Sequence, residues 1–464
     1  MILSDIAKVI RDDDIPSIID ASIAILEKTG VKIEHDGLLS KLAEHGAIIT
    51  REEMRVRFPK QMTEDFLAAS DKVSWHPIRP KVTAHAGIYQ GYYLDRDNTH
   101  KEWTQERILE YAAVARALPN VGGVDMLGYP PAAFNDKRQP LLEKWFCWKY
   151  GIHGGNSIWM TELCPLIHEM WQIYADWQQK DAGSLFNGTV YLISPLHFAK
   201  EEAEQFIYFF DRGLRVHVGW MGTLGATVPV TIAGALALHF AEGFFVNMLN
   251  RIFFGDTRLW LHGSVSVMDM RTGSFQYGRP EQTVINMAGA QIAKYLGASY
   301  SGHCGLTDAK RPGYASAGQK VYSALANAMA YGSGGFAAGL LSVDEVFSPI
   351  QMILDDEMTG NVNRLFGDIP VTPDTLALSA IDEVSKNGTF LDHDHTASHF
   401  KNTLWFPELW SKESFNGWKR DGEKDEISRA MEKFEVLSRN TLEPVMPDDV
   451  ERELLKVIEN RSII

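Results

Sequence analysis

The sequence predicts an α/β chain built around a (β/α)8 barrel, and three observations support that fold class. Short apolar or glycine-rich runs recur along the chain from residue 121 onward, and helical patterns separate them. With 464 residues, 45% of them hydrophobic, the chain is long enough for one large core with additional segments. Strand and helix signals that alternate over about 280 residues fit the usual size of this barrel.

Eight runs are the candidate barrel strands. The seventh, "GSGGFAAG", has the weakest strand propensity, because glycine packs no side chain against its neighbours. It lacks the Lys-Ser/Thr pair of a phosphate-binding loop, so we predict a strand whose backbone must approach another group closely. The runs cover residues 121–128, 153–160, 187–194, 215–222, 258–265, 299–306, 332–339 and 389–396.

The segments between the runs carry helix signals at both ends. In the segment 279–297, Pro280 suits the first helical turn and Gly297 marks the end. Its apolar residues Val284, Ala288 and Ile292 recur every four residues. That spacing predicts an amphipathic helix that covers the barrel from outside.

Two further parts flank the predicted barrel. Residues 1–100 combine helical patterns with a stretch, 73–100, that is rich in tyrosine and glycine and predicts a β-hairpin. Beyond residue 400, two amphipathic patterns predict a helical cap. The expected organisation is therefore an N-terminal extension (1–100), a barrel (101–400) and a C-terminal helical cap (401–464).

Composition and charge exclude several classes of function. A net charge of −15 argues against nucleic-acid binding. Three widely spaced cysteines form no disulfide framework, which favours a reduced, cytoplasmic setting. The most apolar stretch contains His239 and Glu242, so we interpret it as a buried helix rather than a membrane span.

Aromatic and histidine residues recur where the predicted strands end, which is where a barrel of this kind carries its chemistry. Each residue alone is more often structural, but their recurrence at one rim favours a shared site. We expect Trp220 in particular to offer an open aromatic face to a cation. The candidates are Tyr129, Trp220, His262, His303, Cys304, Phe336, His393 and His395.

The stretch "FLDHDHTASHF" (390–400) leaves two readings open. On a strand, His393 and His395 would point to the same face, as in metal-dependent hydrolases, with Asp308 and His303 as further ligands. Alternatively, these histidines are ordinary polar residues at the end of an element. A zinc site at His303 and Cys304 would need a second nearby cysteine, which the sequence lacks.

Several segments, taken together and in order, resemble the trimethylamine methyltransferase superfamily along nearly the whole chain. Founding members of that superfamily carry pyrrolysine at the barrel centre, and the corresponding region here is the glycine-rich stretch around Gly334. This chain therefore resembles the members without pyrrolysine, which act on quaternary amines. The segments are "ILEKTGVKIEHDGLLSKLAEHGA", "GATVPVTIAGALALHFAE", "RTGSFQYGRPEQTVINMAGAQIAKYLG", "TDAKRPGYASAGQK", "SPIQMILDDEM" and "GTFLDHDHTASHFKNTLWFPELW".

The resemblance implies methyl transfer from a quaternary amine to Co(I) of a separate corrinoid protein. It implies no catalytic side chain, no metal and no tightly bound cofactor in this chain, and it makes the candidate residues substrate-binding. Glycine betaine, which would give dimethylglycine, is the favoured substrate, with proline betaine and carnitine as alternatives. A homo-oligomer is expected. A metal-dependent hydrolase and a non-catalytic betaine-binding protein are the competing hypotheses.

Overall fold

The computed structural model describes residues 8–75, 79–87, 91–128, 136–262 and 264–460, without the side chains of His262, Ser264 and Asn387. Within these residues, eight chain segments, which we number as barrel positions 1 to 8, form a closed ring. Position 3 is an extended segment that begins at His153 and is held by a bridge to Asp125. The strands at the other positions are Lys81–Ala86, Val121–Val124, Thr189–Leu192, His217–Leu224, Trp260–His262 with Ser264–Met268, Ser299–Ser301 and Ser333–Ala338.

Parallel pairing runs around the ring. Positions 1 and 2, 4 and 5, 5 and 6, 6 and 7, and 8 and 1 pair as parallel ladders. The Thr189 N–H donates to the Asn156 carbonyl at 3.0 Å between positions 3 and 4, and Ala337 N–H donates to the Gly305 carbonyl at 3.2 Å between positions 7 and 8. The ladder between positions 8 and 1, six residue pairs long, closes the barrel.

A helix follows each barrel position and covers the ring from outside, as in a (β/α)8 barrel. The predicted helix 279–297 is confirmed, since a helix begins at Pro280 and ends before Gly297, which has a positive φ of 68°. The first helix begins after Thr104, whose hydroxyl accepts from Arg107 N–H at 3.3 Å. The helices are Gln105–Ala117, Gln139–Tyr150, Cys164–Gln178, Lys200–Phe210, Ile232–Phe254, Pro280–Leu296, Tyr314–Tyr331 and Pro349–Leu365.

Helix Ile232–Phe254 is the apolar stretch that we predicted to be a buried helix. It is long and apolar enough to cross a membrane, but 83% of its most apolar window is buried inside the protein. One face packs on barrel position 5, and the N-terminal helix Ile15–Lys28 lies on another. Its length and apolar character therefore follow from its place in the core.

The N-terminal segment packs on the same side of the barrel. Its strand Val31–Ile33 pairs in parallel with His197–Phe198, which lies between barrel position 4 and its helix. The core is continuous from this segment into the barrel helices. The remaining elements of the segment are helices Asp36–Glu44 and Lys60–Ala68 and strands Ile48–Thr50 and Arg55–Arg57.

The two amphipathic helices predicted near the C-terminus are confirmed. Helix Glu426–Leu437 packs against the last barrel helix, and helix Asp448–Glu459 packs against Cys164–Gln178. Both therefore lie against the outer ring of helices.

Two of our strand assignments need correction. Residues 389–396 do not form a strand, since a 3-10 turn (Phe390–Asp392) leads into a helix (Asp394–Thr403). The true first strand is Lys81–Ala86, which we had placed in a hairpin. A hairpin does exist close by, where Tyr92–Leu94 pairs antiparallel with His100–Glu102. The first barrel strand thus precedes the boundary that we predicted at residue 100.

The loop after barrel position 4 is fixed by a buried carboxylate from helix Ile232–Phe254. Glu242, which is 0% exposed, accepts from the Ser194 hydroxyl at 2.8 Å and from the Leu196 N–H at 2.9 Å. Burial raises the pKa of Glu242 to about 7. A carboxyl group with a raised pKa stabilises the fold below its unfolded pKa, and this contribution is lost as the pH rises through 7.

We expect Glu242→Gln to remove this pH dependence. Between pH 5 and pH 8, the free energy of unfolding of the Gln variant should rise by about 2 to 3 kcal/mol relative to that of the parent protein. Urea denaturation at several pH values measures this difference. Glu453→Gln, at an exposed helical position, is the matched control. If the parent and the Gln variant showed parallel pH curves, the buried carboxyl group would not titrate as described.

Candidate active site

The barrel encloses a cavity of about 600 Å³ at the carboxyl ends of its strands. Positions 1, 2, 7 and 8 supply most of its wall, and the segments that follow positions 6 and 8 complete it. Because its volume matches that of small-molecule sites, we call it the chamber. The residues that line the chamber include His85, Asp125, Tyr277, His303, Cys304, Gly335, Ala337 and Asp344.

The chamber exists because the inward faces of the strands carry small or polar residues. On position 1, Val82, Ala84 and Ala86 are at most 1% exposed beneath the outer helices, whereas His85 faces inward and is exposed. A Cβ atom on Gly123 of the next strand would lie 2.7 Å from His85 Nδ1. Glycine there makes room for the imidazole, so the lumen stays open instead of being filled by bulky layers.

Tyr277 forms an aromatic wall of the chamber. Its backbone N–H donates to Asp308 Oδ1 at 2.7 Å, which fixes the segment after position 6. Its hydroxyl lies 3.6 Å from the sulfur of Met221, and its ring meets the His303 ring edge-on at 6.1 Å. Phe275 packs on its other side at 4.8 Å between ring centroids. These contacts hold the Tyr277 ring in one orientation.

Two carboxylates line the chamber. Desolvation raises the pKa of Asp125, and the nearby His153 and His85 oppose that rise. His153 Nδ1 lies 3.9 Å from Asp125 Oδ1. Desolvation, followed by the charge of Glu345, raises the pKa of Asp344. The chamber therefore has an acidic character on two sides.

His303 and Cys304 lie next to each other on the wall formed by position 7. The His303 carbonyl accepts from Asn286 Nδ2 at 2.6 Å, and desolvation within the barrel lowers the pKa of its imidazole. The Cys304 sulfur accepts from the Gly335 N–H at 3.0 Å, and burial raises the pKa of its thiol. At neutral pH the imidazole is uncharged and the cysteine is a thiol, which is a weak nucleophile.

The structure brings together three of the residues that we singled out from the sequence. His303, Cys304 and Phe336 all line the chamber, although Phe336 is only 2% exposed and belongs mainly to the core. Tyr129 and the side chain of His262 lie outside the described residues.

Trp220 does not offer an open aromatic face. Its side chain is 3% exposed and packs against helix Ile232–Phe254, where its ring centroid lies 5.7 Å from that of His239. A Cβ atom on Gly243 of that helix would lie 2.9 Å from the indole. The neighbouring residue Met221 points the other way, toward Tyr277. The expectation of an open aromatic face at Trp220 was therefore wrong, because the side chain points toward the outer helix.

His393 and His395 do not form a strand pair either. His393 caps helix Asp394–Thr403, with Nδ1 accepting from His395 N–H at 3.0 Å. The ring of His395 stacks near that of His399, at 4.3 Å between centroids. Neither histidine lines the chamber. Across the described ranges, no group of three or more His, Cys, Asp or Glu side chains is arranged to hold a metal ion.

Sequence reasoning missed several residues of the chamber, among them His85, Asp125, Tyr277 and Asp344. Asp125 directly follows the run "VGGV" and was visible as a polar residue at a strand end. Tyr277 lies in one of the segments that carry the family resemblance. His85 was hidden by the hairpin assignment, and Asp344 lies beyond a turn whose geometry the sequence does not reveal.

A (β/α)8 barrel with an open small-molecule chamber at its strand ends defines an enzyme of the barrel class. The family model of trimethylamine methyltransferase (MTTB) matches residues 165–463. The chain therefore belongs to this methyltransferase family, which confirms the resemblance found in the sequence.

Two relatives from Desulfitobacterium hafniense align along almost the whole chain. Trimethylamine methyltransferase MttB of strain DCB-2 is 24% identical over 474 residues, which cover 97% of this chain and 92% of the relative. A glycine betaine methyltransferase of strain Y51 is 22% identical over 482 residues, which cover 98% and 97%. A crystal structure of the monomethylamine methyltransferase MtmB of Methanosarcina barkeri covers 98% of this chain and 96% of its own, with 12% identity and a TM-score of 0.43.

Proposed function

We propose that the chain transfers a methyl group from a quaternary amine to Co(I) of a separate corrinoid protein. The chamber carries this proposal: it is sized for a small molecule, walled by aromatic and thioether groups, and acidic. Family membership gives the reaction type, and the absence of pyrrolysine from the sequence argues against a covalent amine adduct. We further propose a cytoplasmic homo-oligomer.

The chemistry of a quaternary amine suits these residues. Its nitrogen has no lone pair and no N–H, and it leaves as a neutral tertiary amine when one methyl group is removed. No proton has to be delivered to the leaving group, and neutral His303 and the Cys304 thiol are consistent with that. The residues have to hold the cation, direct one methyl group outward and exclude water.

The methyl acceptor must approach from outside the chamber. A Co(I) corrinoid supplies the nucleophilic electron pair that accepts the methyl group. A cavity of about 600 Å³ suits the amine and its immediate surroundings but not an entire corrin ring in addition. The corrinoid protein is therefore proposed to dock over the carboxyl ends of the strands, where the chamber opens.

The identity of the amine is the finer part of the proposal. Glycine betaine follows from the resemblance, and one relative at 22% identity carries that substrate in its name. Proline betaine and carnitine carry the same trialkylated nitrogen and a carboxylate. The charges of the chamber bear on this choice.

We expect the purified protein to methylate cob(I)alamin when a quaternary amine is supplied. The conversion to methylcobalamin is followed by absorbance with a panel that contains glycine betaine, proline betaine, carnitine and choline. Trimethylamine is the matched control, because without prior protonation it would have to leave as an amide anion. If no quaternary amine supported conversion, with free cobalamin or with a corrinoid protein from the same genome, the proposal would be wrong.

A further inference from the structure

The chamber has a one-sided charge. Asp125 and Asp344 face it, and none of the described residues that line it is a lysine or an arginine. Two histidines line the chamber, His85 and His303, and desolvation lowers the pKa of His303. A negatively charged substituent would thus enter a site in which no described lysine or arginine of the lining receives it.

Two lysines in the segment after position 7 are already engaged. Lys320 lies behind the wall of position 8, 0% exposed, where it pairs with Asp355 at 2.6 Å and donates to the Ala337 carbonyl at 2.7 Å. Lys310 donates to the Ser342 hydroxyl at 2.8 Å, and that hydroxyl donates to Glu345 at 3.1 Å. Lys320 is thus compensated by a carboxylate outside the lining, and Lys310 is linked to one through the Ser342 hydroxyl.

Asp344 and Tyr277 form the part of the chamber that suits a cation. Both residues line the chamber, Tyr277 from the segment after position 6 and Asp344 from the segment after position 8. The Tyr277 ring is held by Phe275 and by its contact with Met221. A fixed aromatic ring and a carboxylate attract a quaternary ammonium group.

We infer that the chamber selects a quaternary ammonium compound whose remaining substituent is uncharged, such as an alcohol, over one that ends in a carboxylate. A cation of charge +1 is attracted electrostatically by both Asp125 and Asp344. A betaine is attracted equally at its nitrogen, but its carboxylate is repelled by these residues and loses its hydration. This inference rests on the proposed function and narrows its substrate class away from the betaines.

Choline and glycine betaine provide the matched test, since they share a trimethylammonium group and differ in CH2OH against COO⁻. Equilibrium binding of each to the full-length protein is measured by isothermal titration calorimetry without any corrinoid. We expect choline to bind on the order of tenfold more tightly than glycine betaine. Equal or tighter binding of glycine betaine would overturn the inference.

Asp344→Asn tests the cause of that preference. It should weaken choline binding on the order of tenfold and reduce the ratio between the two ligands, because the removed charge attracts the nitrogen and repels the betaine carboxylate. Asp394→Asn makes the same change at an exposed residue outside the chamber and should leave the ratio unchanged. Thermal unfolding of both variants checks that they fold. An Asn variant that weakens both ligands equally would contradict the assigned role of the charge.

The binding test and the methyl-transfer assay can overturn the selectivity and the proposed function independently of each other. Tight, Asp344-dependent choline binding without any methyl transfer would support the selectivity of the chamber and overturn the proposed function. Methyl transfer from glycine betaine in preference to choline would support the proposed function and overturn the inferred selectivity. If neither ligand bound, the inferred selectivity would be wrong, and the methyl-transfer assay with the full panel of amines would decide the proposed function separately.

Discussion

Replacing Lys320 by methionine is expected to lower the free energy of unfolding by about 3 to 5 kcal/mol. Lys320 and Asp355 are both 0% exposed and their charged atoms lie 2.6 Å apart. Methionine keeps most of the side-chain volume but leaves the Asp355 carboxylate buried without its cation. The remaining donors to Asp355, the Gly339 N–H at 2.8 Å and Gln351 Nε2 at 2.8 Å, are neutral and do not replace a charge.

The ion pair holds three elements together. Lys320 comes from helix Tyr314–Tyr331 and Asp355 from helix Pro349–Leu365. Lys320 also donates to the Ala337 carbonyl on the strand at position 8. Since Ala337 lines the chamber, loss of the pair should disturb the site as well as the fold.

A matched control exists on the surface. Lys386 and Asp382 also lie 2.6 Å apart, but their side chains are 68% and 67% exposed. Lys386→Met should change the free energy of unfolding by less than about 1 kcal/mol, because water already screens that pair. Chemical denaturation of both variants gives the comparison. Similar losses in the two variants would mean that burial does not determine the strength of the Lys320–Asp355 pair.

The parts of the fold that the sequence predicted well were those with local causes. Helix Pro280–Leu296 was predicted nearly to the residue, because proline at its start and glycine after its end act on the adjacent backbone alone. Seven of the eight predicted runs correspond to barrel positions 2 to 8 for a similar reason, since each is a short apolar or glycine-rich segment between helices.

The errors arose where the outcome depended on distant partners. The strand Lys81–Ala86 became barrel position 1 because it pairs in parallel with residues 333–338, about 250 residues away. Nothing in its own residues distinguishes a parallel partner from a hairpin partner. The stretch around His393 alternates as a strand does, but a histidine that accepts from a following N–H also caps a helix.

In the candidate site as well, the sequence predicted features with local causes and missed those that depend on the tertiary fold. His303, chosen from its position at a predicted strand end, lines the chamber, whereas Trp220 is buried in the core. Adjacent residues on a strand point to opposite faces, so an error of one position exchanges the core for the lumen. Asp344 and Tyr277 approach each other only through the tertiary fold.

The two adjacent glycines of "GSGGFAAG", Gly334 and Gly335, should differ in how much an alanine substitution changes the stability of the fold. A Cβ atom on Gly334 would lie 2.3 Å from the Ala324 carbonyl oxygen of the outer helix, so Gly334→Ala should destabilise the fold by about 1 to 3 kcal/mol. A Cβ atom on Gly335 points toward the chamber and meets Thr83 O at 3.5 Å and Cys304 Sγ at 4.0 Å, which are ordinary contacts. Gly335→Ala should therefore fold as stably as the parent protein.

Gly335→Leu should then abolish most of the activity without unfolding the protein. Its side chain would occupy the chamber, displace the amine and lower kcat/KM by about 100-fold or more. Methyl transfer to cob(I)alamin measures the activity, and urea denaturation shows that the variant is folded. Full activity of a folded Gly335→Leu variant would mean that the substrate binds elsewhere. The glycine-rich sequence thus serves two purposes: Gly334 lets a helix approach the strand from outside, and Gly335 leaves room for a ligand inside.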